Sequence, residues 1–248
     1  MTAKIDLNAD LGEGSSQDES LMSVITSCNI ACGGHAGNET SMRAALSLAK
    51  KYSVSIGVHP SFPDRENFGR KPSSLAGAEL EAELSGQVLT LKRLAHELDV
   101  EISHLKPHGA LYNMAASDRK LSQSIVAILR RHLPHAKLFG LPKSELEAVA
   151  QSNEVDFVAE GFADRAYEAN GHLRNRSLDG AMITEHERQA DQAVQMVFKQ
   201  SVKSLCGSDV AMPVRTICVH GDTAGAFAAA KLIRKALTDR GVELCPPP

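Results

Sequence analysis

Residues 5–14 read IDLNADLGEG, an alternating stretch that ends in a turn with two glycines. On an extended strand, residues two apart point to the same face. Asp6, Asn8 and Asp10 therefore share one face, and the apolar residues between them share the other. Burying carboxylates on the inward face of a strand is costly unless they bind something. The stretch therefore predicts a first strand whose polar face, extended by Glu13, forms part of a binding site.

The composition is that of an ordinary globular protein, with 248 residues, 43% of them hydrophobic and 23% charged. The net charge of −3 comes from mixed signs without a basic block, so the sequence does not predict nucleic-acid binding. No apolar run approaches the ~20 residues that a membrane span needs. Five scattered cysteines predict free thiols in a reducing compartment. Because no apolar leader precedes the first strand, we expect a cytoplasmic protein.

Strand-like and helix-like stretches alternate along the chain in seven units, and no break in composition marks a domain boundary. The predicted strands cover about 4–8, 27–32, 54–58, 101–105, 137–141, 156–159 and 215–219. The predicted helices cover about 40–51, 73–98, 118–133, 184–205 and 224–240, and one more starts at Ser144. The helix-start signals are a serine cap at Ser73 or Ser74 and two capping boxes, Ser144 with Glu147 and Thr184 with Glu187.

This alternation favours a parallel sheet covered by helices. Two architectures compete, a closed TIM-like barrel and an open doubly wound sheet. Polar side chains follow nearly every strand at its carboxyl end. A barrel gathers all of those ends around one mouth, whereas an open sheet uses only those at its switch point. We therefore predict a single (β/α) barrel domain over residues 1–248, with seven parallel strands.

The candidate site residues fall at these strand ends. In chain order they are Asn8, Asp10, Glu13, Asn29, His35, His59, Arg70, Lys106, His108, Glu160, Arg165, His220 and Asp222. Arg70 belongs to a long loop, 61–71, of a length that is uncommon unless it has a function. Four other histidines fall in or beside predicted helices and are interpreted as surface residues: His96, His132, His135 and His186.

Asp10, His35 and His59 form a candidate metal site. One carboxylate and two imidazoles suit Zn²⁺ or another divalent transition metal, with an open position for water. The spacing is not a recognised metal signature, and a hydrogen-bonded polar mouth without a metal explains the same residues.

Acid–base chemistry is predicted at His59 and His108, because imidazole titrates near neutral pH. Lys106 ends an apolar strand, and a lysine is rarely buried without a carboxylate or a substrate anion. A salt bridge from Lys106 to Glu160 or Asp10 is therefore expected and is compatible with a role in binding substrate. The glycine-rich turns match neither the Walker A loop nor the G-x-G-x-x-G fingerprint.

Six motifs in fixed order carry a resemblance to a known family. They are DLNADLGEG (6–14), NIACGGHAG (29–37), GVHPSFPD (57–64) with FGR (68–70), KPHGALYN (106–113), EGFADR (160–165) and HGD (220–222). Over essentially the whole chain the sequence resembles the LamB/YcsF family, the A subunits of bacterial 5-oxoprolinases. Residues 245–248 lie outside the pattern.

The resemblance implies a seven-stranded (β/α) barrel, distantly similar to the glycoside hydrolase/deacetylase superfamily. It implies ATP-dependent hydrolysis of 5-oxoproline (pyroglutamate) to L-glutamate, with ATP and Mg²⁺ used by a complex. The implied partners are subunits B and C, and self-association into a homo-oligomer stays open.

Roles follow as a hypothesis from this activity. Asp10, Glu13, His35 and His59 hold a water or a metal. Lys106 and His108 stabilise an oxyanion or a phosphate, and Arg70 or Arg165 clamps the substrate carboxylate. The substrate-binding set is completed by Asn8, Asn29, Glu160 and His220. Two other functions stay open: a metal-dependent, deacetylase-like amidohydrolase acting alone, and a lactam-binding carrier subunit.

Overall fold

The strands are short and most of them are parallel. The computed structural model describes residues 3–221 and 225–248. Within these ranges the strands are β1 (Lys4–Leu11), β2 (Ser27–Ala31), β3 (Ser55–His59), β4 (Ile102–Leu105), β5 (Lys137–Gly140), β6 (Phe157–Phe162), β7 (Ser201–Lys203), β8 (Asp209–Ala211), β9 (Thr216–Val219) and β10 (Glu243–Leu244).

Helices follow most of the strands. In the same ranges they are α1 (Asp18–Met22), α2 (Glu39–Tyr52), α3 (Gly77–Glu97), α4 (Gly109–Ala115), α5 (Arg119–His132), α6 (Glu145–Ser152), α7 (His186–Lys199) and α8 (Ala226–Thr238). Among the described residues, no helix has both the length and the apolar character that crossing a membrane requires.

Seven parallel strands close into a barrel. Neighbouring strands run β1, β2, β3, β4, β5, β6 and β9, and β9 pairs back with β1. The strand order follows the chain, as in TIM-type barrels. The prediction of a closed seven-stranded barrel rather than an open sheet is therefore confirmed. Strand β10 lies outside this ring and pairs with the start of β1.

The two faces of β1 separate as its alternation predicts. Its apolar side chains belong to the hydrophobic core and are at most 4% exposed: Ile5, Leu7, Ala9 and Leu11. Burying an aliphatic side chain of this kind contributes about 1.5–3 kcal/mol. The polar side chains of β1 are equally buried, but they hydrogen-bond to other strands across the barrel interior. Strand β1 thus turns a polar face to the barrel interior and an aliphatic face to the hydrophobic core.

Two predicted helix starts are wrong. Helix α3 begins at Gly77, after Ala76 at the N-cap, because Ser73 instead accepts a hydrogen bond from Leu75 N. Helix α7 begins at His186 with Glu185 at its N-cap and no side-chain cap, so the box predicted at Thr184 does not form. The predicted cap at Ser144 is confirmed, because its hydroxyl accepts from Glu147 N at 3.1 Å.

Several short elements were not predicted, among them the hairpin of β7 and β8 and the helix α4. Helix α7 ends at Lys199, and Gln200 then takes a left-handed conformation with φ of 49°. The chain turns there into the antiparallel hairpin of β7 and β8, where the sequence predicted more helix. The short helix α4 follows His108 directly, between the predicted strand 101–105 and the predicted helix 118–133. It places one side of the cleft described below.

Candidate active site at the barrel mouth

A cleft of about 300 Å³ opens at the carboxyl ends of the barrel strands. Seven predicted site residues line it: Asp10, His59, Arg70, Lys106, His108, Arg165 and His220. Five others do not line it: Asn8, Glu13, Asn29, His35 and Glu160. Asp222 lies outside the described residues. Side chains from chain segments far apart in sequence are therefore brought to one mouth, as the barrel architecture predicts.

Lys106 lies at the floor of the cleft and is 1% exposed. Its Nζ is 3.0 Å from Asp10 Oδ1 and 2.9 Å from Glu160 Oε1. It is also 3.0 Å from Cys218 Sγ and 5.1 Å from the centre of the Phe162 ring. Both of the salt bridges that the sequence allowed are thus present together.

The charges of this pair are mutually stabilised. Burial alone lowers the pKa of Lys106, but the nearby carboxylates of Asp10 and Glu160 raise it well above its usual value. Burial likewise raises the pKa of Asp10, yet the charges of His59 and Lys106 hold it well below its usual range. At neutral pH both groups are therefore ionised.

Asn8 and Asn29 are buried beneath the cleft and do not line it. Asn29 Nδ2 donates to Asp10 Oδ1 and to Asn8 Oδ1, at 2.8 Å each. Asn8 Nδ2 donates to Glu160 Oε1 at 2.9 Å. Both amides therefore orient the carboxylates that surround Lys106, and neither contributes to the cleft wall.

His104, which sequence analysis overlooked, completes this layer. Its Nε2 is 2.8 Å from Asn29 Oδ1, and its ring stacks on Phe139 at 4.0 Å. Burial lowers the pKa of His104 to about 3, so the ring is neutral and Nε2–H donates to the amide oxygen. The ring crosses over Gly57, where an added Cβ would lie 2.1 Å from Nε2.

A histidine cluster, consisting of Glu13, His35, His59 and His108, adjoins the cleft. The ligand atoms of these four side chains lie within 4.8 Å of one another, so they form a group able to hold a metal ion. His35 stacks on His108 with ring centres 3.6 Å apart, and its Nε2 is 2.8 Å from Glu13 Oε1. Burial lowers the pKa of His35 to about 2.

Two of these imidazoles meet nitrogen to nitrogen. His59 Nδ1 donates to Lys106 O at 2.7 Å, and His108 Nε2 donates to Phe68 O at 3.0 Å. In neutral rings a lone pair then remains on His59 Nε2 and on His108 Nδ1, which are 2.9 Å apart. Two facing lone pairs repel, so this geometry favours a proton or a metal cation between them.

Asp10, the predicted carboxylate ligand, lies beside the histidine cluster. Its Oδ2 is 3.4 Å from His59 Nε2, and it is not part of the four-residue group. Glu13 is part of that group, and its Oε1 is 3.6 Å from His108 Nδ1. The structure therefore groups Glu13 and His108 with the two predicted histidine ligands.

The loop 61–71 packs over the histidine cluster. Its Phe68 ring makes edge contacts with His35 and His108, at 5.2 and 5.5 Å between centres. The start of the loop is fixed by Gln87 of α3, which bonds both the N–H and the carbonyl of Ser61. The long loop thus positions the ring of His108 and supplies Arg70 to the cleft.

A second histidine system lies at the end of β9. His220 Nδ1 is 2.8 Å from Asp164 Oδ2, and the His220 backbone N–H donates to the same oxygen at 3.1 Å. Asp164 is 2% exposed. Burial raises the pKa of Asp164, but the contacts with His220 and the charge of Arg165 together hold it below its usual value, so the group is ionised at neutral pH.

Arginines give the mouth of the cleft its charge. Four line it: Arg70, Arg165, Arg174 and Arg176. Asp10 is the acidic side chain among the described lining residues. Arg165 is partly committed to structure, because its Nε and Nη2 donate to Ala181 O and Arg174 O at 3.3 and 2.5 Å. A cationic mouth of this kind favours a small anionic ligand.

The family model for LamB/YcsF proteins matches residues 5–248. The chain belongs to the LamB/YcsF family. It is 42% identical over 241 residues to a protein from Haemophilus influenzae (strain PittGG) that is named as the A subunit of 5-oxoprolinase, covering 97% of this chain and 98% of that protein. The resemblance predicted from the six motifs is therefore confirmed.

Solved structures agree with the barrel of this LamB/YcsF protein. A lactam utilization protein from Thermus thermophilus superposes with a TM-score of 0.90 at 35% identity, covering 98% and 99% of the two chains. Peptidoglycan deacetylase PdaC from Bacillus subtilis superposes with a TM-score of 0.50 at 12% identity, covering 98% of this chain and 87% of that one. The second likeness concerns the fold alone.

Asp164 and Tyr112 of this family member are not among the residues predicted for the site from the sequence. Both lie inside the motifs given above, and Asp164 belongs to the polar segment that follows the predicted strand 156–159. Tyr112 lines the cleft, and burial raises the pKa of its hydroxyl well above the usual value. Among the described residues, neither that hydroxyl nor Glu160 Oε2 has a hydrogen-bond partner.

Proposed function

We propose that this chain is the A subunit of a cytoplasmic 5-oxoprolinase, which hydrolyses the lactam of 5-oxo-L-proline to L-glutamate. The named relative and the lactam utilization protein support this substrate class. A five-membered lactam is a stable amide, so the reaction is coupled to ATP and Mg²⁺. Phosphorylating the amide oxygen activates the ring carbon: one water adds to that carbon as the C–N bond breaks and the nitrogen leaves as an amine, and a second water then releases phosphate from the acyl phosphate. Subunits B and C complete the complex. The lactam ring is opened at the mouth of the single barrel domain.

The ionised Lys106–Asp10 pair on the floor of the cleft is the observation that carries this proposal. The ammonium of Lys106 is shielded from bulk water. It therefore strongly stabilises the negative charge that develops on the lactam oxygen. Asp10 is held as a carboxylate 3.0 Å away and accepts a hydrogen bond from the attacking water. The volume of about 300 Å³ suits a substrate of this size.

The arginines at the mouth provide for the free carboxylate of the substrate. Planar guanidinium groups bind carboxylates through two parallel hydrogen bonds. Arg70 is the candidate that the loop 61–71 brings to the cleft, where its guanidinium carbon lies 4.8 Å from the Phe68 ring. Arg165 supports the wall on the opposite side through its bonds to the segment 166–181.

The histidine cluster fits a divalent metal ion. Its three imidazoles and one carboxylate are the donors that zinc and similar ions prefer, and the facing lone pairs of His59 and His108 are relieved by a cation. A bound ion there would lower the pKa of a coordinated water. Glu13, His35, His59 and His108 would hold it, with Asp10 beside His59.

The test is glutamate release from 5-oxoproline, measured with and without ATP and subunits B and C, together with metal analysis of the chain. We expect release only with all components present. Asp10→Asn should lower turnover at least ~100-fold in a folded protein. The control is Asp156→Asn, which makes the same chemical change in an exposed ion pair with Arg215. Near-normal turnover of Asp10→Asn removes Asp10 from the chemistry.

Two other outcomes would reassign the function. Amide hydrolysis by the isolated chain without ATP, with one metal per chain, would make it a metal-dependent amidohydrolase of the deacetylase kind. Binding of 5-oxoproline that survives His108→Ala, with no turnover in any mixture, would make it a carrier of the lactam.

A further inference from the structure

Arg165 is a buried cation at the cleft. It is 4% exposed, and no acidic side chain among the described residues forms an ion pair with it. Asp164, the preceding residue, is within hydrogen-bond distance of His220 instead. The charge of Asp164 favours the charged form of Arg165, yet burial dominates and lowers its pKa. Because a buried charge is costly unless it is paired, the position of Arg165 favours an anionic ligand.

The segment 166–181 holds the guanidinium group of Arg165 in place. Its Nε donates to Ala181 O at 3.3 Å, and its Nη2 donates to Arg174 O at 2.5 Å. The segment itself is fixed by backbone bonds, from Ala166 N to Ala181 O and from Arg174 N to Ala166 O, at 3.0 Å each. Within the part of the chain that the structure describes, Arg165 Nη1 has no hydrogen-bond partner. One edge of a fixed guanidinium group is therefore available to an oxyanion.

Arg165 and Arg174, called here the arginine pair, both line the cleft. Arg174 Nη1 is 3.0 Å from Glu168 Oε1, so part of its charge is compensated, whereas that of Arg165 is not. The proposed clamp for the substrate carboxylate, Arg70, belongs to the separate loop 61–71. Since 5-oxoproline has a single carboxylate, a ligand that satisfies both places needs a second anionic group.

We propose that the arginine pair binds the phosphoryl group of the activated substrate, so that the cleft accommodates a phosphorylated lactam. The identity of this ligand rests on the proposed ATP-coupled hydrolysis. A phosphoryl group carries a charge of about −1.5 to −2 and three acceptor oxygens. Guanidinium groups bind such oxygens through parallel hydrogen bonds. A volume of about 300 Å³ is at the lower end for ligand cavities, which favours this small compound over a whole nucleotide.

The direct test is the binding of inorganic phosphate to the isolated full-length chain. Treatment with EDTA first removes any metal from the histidine cluster. Calorimetric titration should show one saturable site per chain. Arg165→Gln should weaken phosphate binding at least ~10-fold, because charge-assisted hydrogen bonds are lost. Arg174→Gln should weaken it about threefold, since this side chain is more exposed. Arg188→Gln, the same change in an exposed ion pair with Glu185, should bind like the wild type.

A second measurement uses glutamate release by the reconstituted complex. Arg165→Gln should lower kcat at least ~10-fold and leave the KM for 5-oxoproline within about threefold, because the lactam enters without a phosphoryl group. Arg70→Gln should instead raise KM, because the carboxylate is present from the start. A merely structural role of Arg165 would not produce this division between kcat and KM.

The outcomes separate this subsite from the proposed function. If the wild-type complex releases no glutamate, the proposed function fails, and the phosphate titration still decides whether the arginine pair binds anions. The subsite is wrong if the wild-type chain binds no phosphate, or if Arg165→Gln binds it equally well. Binding of ATP that depends on Arg165 and is tighter than that of phosphate would overturn the assignment to a phosphorylated lactam. Thermal melting verifies folding, and should Arg165→Gln not fold, unchanged binding by Arg174→Gln overturns the subsite by itself.

Discussion

The ammonium group of Lys106 is almost completely buried, since the residue is 1% exposed. Two carboxylates and one amide oxygen lie within 3.3 Å of its ammonium group. Desolvating an ion costs several kcal/mol, and these partners offset that cost only while all charges are present. The residue that serves the proposed chemistry is therefore also needed for folding.

Lys106→Met should destabilise the protein by about 3–5 kcal/mol, because it leaves Asp10 and Glu160 as buried charges without a cation. Urea denaturation measures this loss. The double variant Lys106→Met with Glu160→Gln should recover part of it. Lys235→Met, which breaks an exposed ion pair with Asp239, is the control and should leave the urea midpoint unchanged. An equally stable Lys106→Met would mean that the pair contributes nothing to folding.

Asp6 gives the stability a predictable pH dependence. Burial raises its pKa from 3.8 to about 6, although hydroxyls of Thr216, Thr26 and Ser27 donate to it. Between these values the folded protein holds a proton that the unfolded chain releases. Stability from this group is therefore full below pH 4 and is lost as the pH rises through 6, by roughly 3 kcal/mol.

Asp6→Asn removes this titration. The free energy of unfolding of the variant, minus that of the wild type, should rise by roughly 3 kcal/mol between pH 4 and pH 7. Urea denaturation at both pH values measures the difference. Asp156→Asn, which makes the same change in the exposed ion pair with Arg215, is the surface control. A difference that does not change with pH would place the pKa of Asp6 near its ordinary value.

At the scale of elements, β3 and β4 pack closely because Gly57 of β3 has no side chain and the His104 ring of β4 fills that space. Gly57 of β3 leaves the space through which the His104 ring of β4 reaches Asn29. An added Cβ would lie within 2.1 Å of that ring, which is too close for any real contact. The hydrogen bonds that orient Asp10 therefore depend on a glycine two strands away.

Gly57→Ala should destabilise the barrel by about 1–3 kcal/mol and lower turnover as well, because the His104 ring must move off Asn29. The matched change is Gly86→Ala in α3, where no atom lies within 4 Å of the added methyl. Since alanine favours helix, this control should be neutral or up to about 1 kcal/mol more stable. Thermal melts and glutamate release measure both effects. Equal melting temperatures for the two variants would contradict this close packing.

Patterns that repeat along the chain could be predicted, and pairings across the barrel could not. The alternation around Asp6 and the polar residues after each strand indicated the barrel and its mouth. The contact of Asp164 with His220 spans 56 positions, and no local pattern reports it. His104 was missed because its strand looked apolar and its partner Asn29 lies two strands away. The hairpin after Lys199 was missed because a helical pattern continued past the turn at Gln200.

At the scale of the whole molecule, a cation bound at the histidine cluster should increase the free energy of unfolding. An ion that binds the folded chain at 100 times its Kd stabilises it by about 2.7 kcal/mol. Zn²⁺ should therefore raise the melting temperature, EDTA should reverse the rise, and His35→Ala should abolish it. His135→Ala, an exposed histidine, should keep the full shift. An equal shift in both variants would locate the ion elsewhere.

Strand β1 is the first strand to be translated, but its pairing with β9, about two hundred residues further along the chain, is what closes the barrel. Until Thr216 and Glu160 have left the ribosome, Asp6 and Asn8 lack the groups that bind them in the finished interior. We therefore expect the early strands to lack part of their hydrogen-bond partners during translation, and unpaired strand edges of this kind are prone to aggregation. The mouth of the barrel is completed only when the ring closes, so the proposed site forms together with the full set of strands.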